Sequence, residues 1–138
     1  MSELGNASTQ AFALWAGLNL ALMVLLSMNV ARHRFFSNTT FGMGDDPVFQ
    51  HAIRTHANNS ENVPVTLLAI AVLVVLGYSS TWIHALGGAL LVGRLLHAIG
   101  LGIMQSKMDI PPPRAIGMVI TWSVMLVCAV AMILAFSN

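Results

Sequence analysis

Residues 54–77, RTHANNSENVPVTLLAIAVLVVLG, join two halves of opposite character in one unbroken run. From Val63 to Leu76 the segment is apolar apart from Pro64 and Thr66, whereas the stretch before it carries Arg54, His56, Asn58, Asn59, Glu61 and Asn62. The apolar half reads as membrane-spanning. Just upstream, Asp45-Asp46-Pro47 supplies a helix start, with an Asp cap, negative charge at the helix N-terminus and proline at the first helical position. One helix is therefore expected over about 47–77. A charged side chain near the centre of a spanning helix costs about 2.5 to 3.5 kcal/mol on insertion scales, so the polar half is expected to face other helices or a polar cavity.

Working outward, three more apolar stretches appear at about 11–31, 81–104 and 114–136, each long enough for a bilayer whose hydrocarbon core takes about 20 helical residues. The chain has 138 residues, 57% hydrophobic and 8% charged, with a mean hydropathy of +0.77. Soluble domains carry about a quarter charged residues. The expected fold is thus all-α, an integral membrane four-helix bundle forming a single domain over 1–138, with no room for a separate soluble domain. A net charge of +1 offers no basic surface for nucleic acid. The single Cys128, in an apolar run, supports neither a disulfide framework nor a thiolate metal site. MSELGNASTQ lacks the basic region that precedes a cleaved signal, so the first apolar run is expected to be retained as a helix.

Arg32 and Arg34 follow the first span, Lys107 and Arg114 lie between the third and fourth, and Tyr78-Ser79-Ser80 carries no charge. The excess of basic residues makes those two loops cytoplasmic, with both termini outside. His33 reads as part of a solvated basic cluster at the lipid headgroups. Residues 35–46, FFSNTTFGMGDD, read as a flexible connection able to close over a site. Ala13, Gly17 and Ala21, and again Ala85, Ala89 and Gly93, recur every fourth residue, a spacing that lets helix backbones approach closely.

At 100° per residue, Arg54, Asn58 and Glu61 fall within an arc of about 60°, bordered by His51, while His56, Asn59 and Ser60 point elsewhere. Polarity on several sides of one helix calls for several neighbours, and hence for a homo-oligomer. The third span adds Arg94 and His97, one turn apart in GRLLHAIG. Arg94 needs an anion, and Glu61 is the one acidic residue inside an expected span. Two readings stay open. Glu61 pairs with Arg94 or Arg54 as a buried structural ion pair; or the surplus of cationic groups forms a pocket for a carboxylate-bearing, zwitterionic guest whose ammonium meets Glu61. The histidines form no tight ligand cluster in sequence, so no metal is expected.

The run Arg54, Asn58, Glu61, Pro64, followed by Gly93-Arg94 and His97, resembles the MAPEG family, the membrane-associated proteins in eicosanoid and glutathione metabolism. The likeness spans nearly the whole chain and is nearest to a small bacterial branch, through GMGDDPVFQHAIRTHANNSENVP and GRLLHAIG. It implies a homotrimer in a bacterial inner membrane, with glutathione bound between neighbouring subunits near the cytoplasmic side. It further implies a glutathione transferase or peroxidase acting on lipophilic electrophiles or lipid hydroperoxides that enter from the bilayer. By the same resemblance Arg54, His56, Asn58, Glu61, Arg94 and His97 hold glutathione, and Arg34 contacts one of its carboxylates.

The chain departs from that family at several positions. Asn62 stands where the better-known enzymes have tyrosine, His97 and Leu101 stand at aromatic positions, and Met108, beside Lys107, stands where an arginine stabilises the thiolate. A thiol with a pKa near 8.5 needs a nearby cation or donor, which leaves Lys107 and His97 as catalytic candidates. Two other functions remain open: a non-catalytic binding or scaffold protein that keeps the pocket, and a small transporter or proton pathway using Glu61 and the histidines. The apolar character of residues 65–76, broken only by Thr66, counts against the last.

Overall fold

A computed structural model of the protein describes residues 3–102 and 110–136. Four α-helices follow in order: α1 (Glu3–Phe36), α2 (Pro47–Val75), α3 (Ser80–Gly102) and α4 (Pro112–Phe136). All four are long and apolar enough to cross a membrane. At 1.5 Å per residue the 29 residues of α2 extend roughly 43 Å, well beyond a hydrocarbon core of about 30 Å. Part of its polar half therefore stands at the headgroups.

Local chemistry sets the helix ends. The Asp46 carboxylate accepts from the Val48 N–H at 3.0 Å, with Pro47 opening α2 as expected. Pro111 does the equivalent for α4, its carbonyl taking the N–H groups of Arg114 and Ala115. Between α2 and α3, Tyr78 N–H bonds to Leu73 O and Gly77 N–H to Val74 O, with Gly77 at φ 83°. This is a Schellman turn, whose left-handed position favours glycine.

Helices α2 and α3 form the middle of the bundle, and each touches the other three helices; α1 and α4 flank them without meeting. Helix α2 buries Phe49, Ala52, Thr55, Asn59, Val63, Thr66, Ile70 and Leu73, spaced by three and four, which is one face of a helix. The apolar core gathers towards the short-turn end, where Ile70, Leu73, Ile83, Leu86, Leu90, Val124 and Cys128 pack together with Ala11.

Glycine decides the closest approaches. A Cβ on Gly117 would collide with the Gly93 carbonyl and the His97 backbone, and one on Gly100 with the backbone of Arg114. Helices α3 and α4 are thus in backbone contact. On the other side of α3, Gly87 and Gly88 lie against the Trp15 ring, whose Nε1 donates to His84 Nδ1 at 3.1 Å. The expected Ala13-Gly17-Ala21 stripe is not used this way. All three residues are exposed, and nothing lies within 4 Å of a Cβ built on Gly17. The inward face of α1 is set by Ser8, Ala11, Asn19 and Leu22, and Ala13 sits about 200° round from Ala11. In α3 the stripe is likewise split, with Gly93 buried and Ala85 exposed.

The α1–α2 connection is tied down rather than loose. Arg34 Nη1 donates to the carbonyls of Thr39, Thr40 and Gly42 at 3.3, 3.4 and 3.3 Å, and Gln50 Nε2 donates to Gly44 O at 2.8 Å. Asn38, Gly42 and Gly44 take positive φ values of 49°, 82° and 60° to make the bends. Beneath them Phe49 is fully buried, stacked on His33 with centroids 5.9 Å apart, and with the Arg34 guanidinium 5.3 Å from its ring centre. His33 is thus a packing residue here, not a member of a solvated cluster.

Replacing Gly117 by valine is expected to force α4 away from α3 at a cost of about 1–3 kcal/mol, the usual range for overpacking. Thermal unfolding in detergent should show a lower midpoint for Gly117→Val, whereas Gly17→Ala, which meets open space and favours the helix, should not lower it.

Candidate functional site

Arg94 sits at the meeting point of α2 and α3 and is only 2% exposed. Its Nε donates to Asn59 Oδ1 at 3.2 Å and its Nη2 to Asn58 Oδ1 at 2.7 Å, while Nη2 lies 3.5 Å from His97 Nδ1. Two consecutive asparagines, 100° apart round α2, bracket the guanidinium. Asn59 Nδ2 in turn points at Met23 Sδ at 3.7 Å, and Ser60 Oγ reaches the same sulfur at 3.3 Å. Three helices are tied together through this group of side chains.

The network corrects two expectations. Among the described residues no carboxylate lies within ion-pair distance of Arg94, so the Glu61–Arg94 pair does not form. The continuous stripe Arg54-Asn58-Glu61 also divides. Asn58 turns with Asn59 towards α3, whereas Arg54 and Glu61 are exposed on the outer face of the bundle. Helical geometry explains this division. Seven residues apart, Arg54 and Glu61 lie within about 20° of each other, and Glu61 is about 200° round from Asn59. Carboxamide oxygens take two of the five N–H groups of Arg94 but supply no counter-charge.

The rest of the polar half of α2 is mostly satisfied within the helix. Thr55, Ser60 and Thr66 donate to the carbonyls four residues back at 2.7, 2.9 and 2.8 Å, and Asn62 Nδ2 donates to Asn58 O at 2.8 Å. Pro64 brings no N–H, so the Ser60 carbonyl lacks its helical donor. His56 is half-buried, and its Nδ1 is buried without a partner among the described residues. These features leave Arg54 and Glu61 as the exposed charged groups of this segment, with the ring of His56 only partly accessible.

Of the residues singled out in sequence, the structure brings together Asn58, Arg94 and His97. Arg34 stands apart, bonded to the first loop. His51 does not meet His97; it lines a cavity of about 140 Å³ with Asn29, His33 and Thr55. Lys107 and Met108 lie outside the described residues. Asn59 is the partner that sequence reasoning assigned to the wrong face, although the inward spacing 52, 55, 59, 63 carried the signal. Met23, one apolar residue among many, carried none. Among the described residues, no group of three His, Cys, Asp or Glu side chains converges as a metal site would require.

Comparison of the sequence with known proteins places the chain in a family. The chain is 30% identical over 119 residues to Inner membrane protein YecN of Escherichia coli strain K12, an alignment covering 86% of this chain and 87% of that protein. YecN from Escherichia coli O6:H1 matches to the same extent. That name states a location and no reaction. Together with the four span-capable helices, the match marks a multi-pass protein of a bacterial inner membrane. The sequence profile of the MAPEG family matches residues 12–134, almost the whole chain, and the protein belongs to that family.

Proposed function

We propose that the protein is a membrane-embedded glutathione-binding protein, a glutathione transferase or peroxidase acting on lipophilic electrophiles or lipid hydroperoxides, and that it works as a homotrimer. The observation that carries this reading is the outward pair of Arg54 and Glu61, one cation and one anion on a single face of α2, with an un-neutralised Arg94 behind them. Charged side chains on the outer face of a membrane helix are costly against lipid, so a neighbouring subunit and a polar guest are the natural cover. Glutathione carries two carboxylates and one ammonium, which complements this set: Arg54 suits a carboxylate, Glu61 the ammonium, and Arg94 supplies a positive potential at the wall. His56 is half-buried with its Nδ1 turned inward, so a contact with the tripeptide falls to the rest of its ring.

Asn58 and His97 act in this reading through Arg94, holding its guanidinium in place. With His97 turned to Arg94, Lys107 is the remaining candidate for stabilising a thiolate, and the half-site would face the cytoplasm with the two basic loops. Met108, at the position where the family's thiolate-stabilising arginine is expected, favours a second reading in which the tripeptide is bound without turnover.

Glutathione affinity, measured by calorimetry on the purified oligomer, is expected to fall tenfold or more in Arg54→Ala, since a hydrogen bond to a charged group contributes about 1.5–3 kcal/mol. Equal affinity in wild type and variant, or no binding in either, would refute the site. Asn59→Leu is expected to act differently, lowering the thermal midpoint because it strips a partner from a buried guanidinium. Conjugation of lipophilic electrophiles and reduction of a lipid hydroperoxide decide between the two readings: turnover lost in Glu61→Gln supports the enzyme, while binding without turnover supports the second.

A further inference from the structure

The first loop builds a polar recess that the Arg94 site does not use. Arg34, Phe35, Asn38, Thr39 and Thr40 line an open hollow of about 340 Å³ at the end of α1. Arg34 commits only Nη1 to the loop carbonyls, so among the described residues the Nε and Nη2 edge of its guanidinium has no protein partner. That edge is a two-pronged donor matched to phosphate oxygens. The Asn38 amide and the Thr40 hydroxyl add donors on the same wall. Fixing Arg34 through Nη1 also holds the free edge in one orientation, which lowers the ordering cost of any anion it binds.

The surroundings say which phosphate this is. Phe35, Phe36 and Phe41 are 77%, 75% and 95% exposed, and the lipid-side flank of α1 leading to them presents Leu25 and Met28 at 64% and 62%. Phenylalanine rings exposed at the end of a span beside basic residues bury into the boundary between headgroups and acyl chains. Arg32, also exposed, stands in the same turn, and no acidic residue occurs from Arg32 to Gly44. Beyond that stretch come two exposed acidic residues at the opposite end of the loop, Asp45 and Asp46, of which Asp46 caps α2. Donors and positive charge beside an apolar flank fit a ligand with a phosphate at one end and hydrocarbon at the other. We propose that the α1–α2 loop is a binding site for the headgroup of an anionic phospholipid, with Arg34, Asn38 and Thr40 on the phosphate and Phe35, Phe36 and Phe41 seated against the glycerol-proximal part of the acyl chains. Arg34 is thereby assigned to lipid rather than to a glutathione carboxylate.

The test is native mass spectrometry of the full-length protein released from nanodiscs of mixed phosphatidylcholine and phosphatidylglycerol, counting retained lipid. Wild type is expected to retain phosphatidylglycerol preferentially, and Arg34→Gln to reduce that preference about fivefold, the scale of one basic residue at an anionic surface. Because Arg34 also shapes the loop, Asn38→Gly serves as the second variant: glycine keeps the positive φ and removes only the amide, and the preference should again fall. Retention that is equal for the two lipids in wild type, or unchanged in both variants, overturns the proposal. So does a fall in glutathione affinity in Arg34→Gln with lipid retention intact. Displacement of the lipid by equimolar glycerol phosphate would also overturn it, because the apolar rim would then contribute nothing.

Discussion

A guanidinium carried into the middle of a membrane bundle must have its N–H groups met, and Arg94 is met by two neutral carboxamides rather than by a carboxylate. Much of the arrangement depends on that choice. Asn58 and Asn59 have to face α3, which fixes the rotation of α2 about its axis; that rotation turns Arg54 and Glu61 outward. Asn59, which accepts from Arg94, also reaches Met23 on α1, so the rotation of α2 is registered against both α1 and α3. An ion pair between Arg94 and Glu61 would have closed the site on itself. Amide oxygens instead leave the positive charge uncompensated, and the acidic residue is free for something else.

The close contact of α3 and α4 serves the same group. His97 stands on the α3 face where Gly117 presses against the backbone, and Gly93 lies one turn away. With no Cβ at these positions the two helices lie in backbone contact, which leaves little room for His97 to move and keeps its Nδ1 near the guanidinium. Polar geometry in the interior is thus underwritten by small residues at the helix crossing, where dispersion contacts and not hydrophobic transfer hold membrane helices together. The apolar core towards the far end, around Ile70, Leu73, Ile83 and Leu90, completes the packing.

The first loop follows a similar logic at the surface. Phe49 is buried beneath His33 and Arg34, and Arg34 gathers three carbonyls that would otherwise compete for water at the membrane edge. A segment whose composition suggests freedom is held by one cation. Among the described residues the bundle therefore holds two separate guanidinium groups met by neutral oxygens, Arg34 in the first loop and Arg94 between α2 and α3.

Composition and hydrophobic run lengths alone determined that this is a four-helix membrane protein, because bilayer thickness imposes about 20 apolar residues per span whatever the packing. The starts of α2 and α4 were legible for an equally local reason, since Asp46 and the prolines act on their own turn. Singling out Arg54, Glu61 and Arg94 needed no structure, because ionisable groups in so apolar a chain are few. Which of them touch was decided only by the tertiary structure. A partition of polar residues between inner and outer faces depends on how far each helix turns against its neighbours, and that angle is a property of packing, with the backbone contact at Gly117 and the thioether of Met23 as much a part of it as the charges themselves.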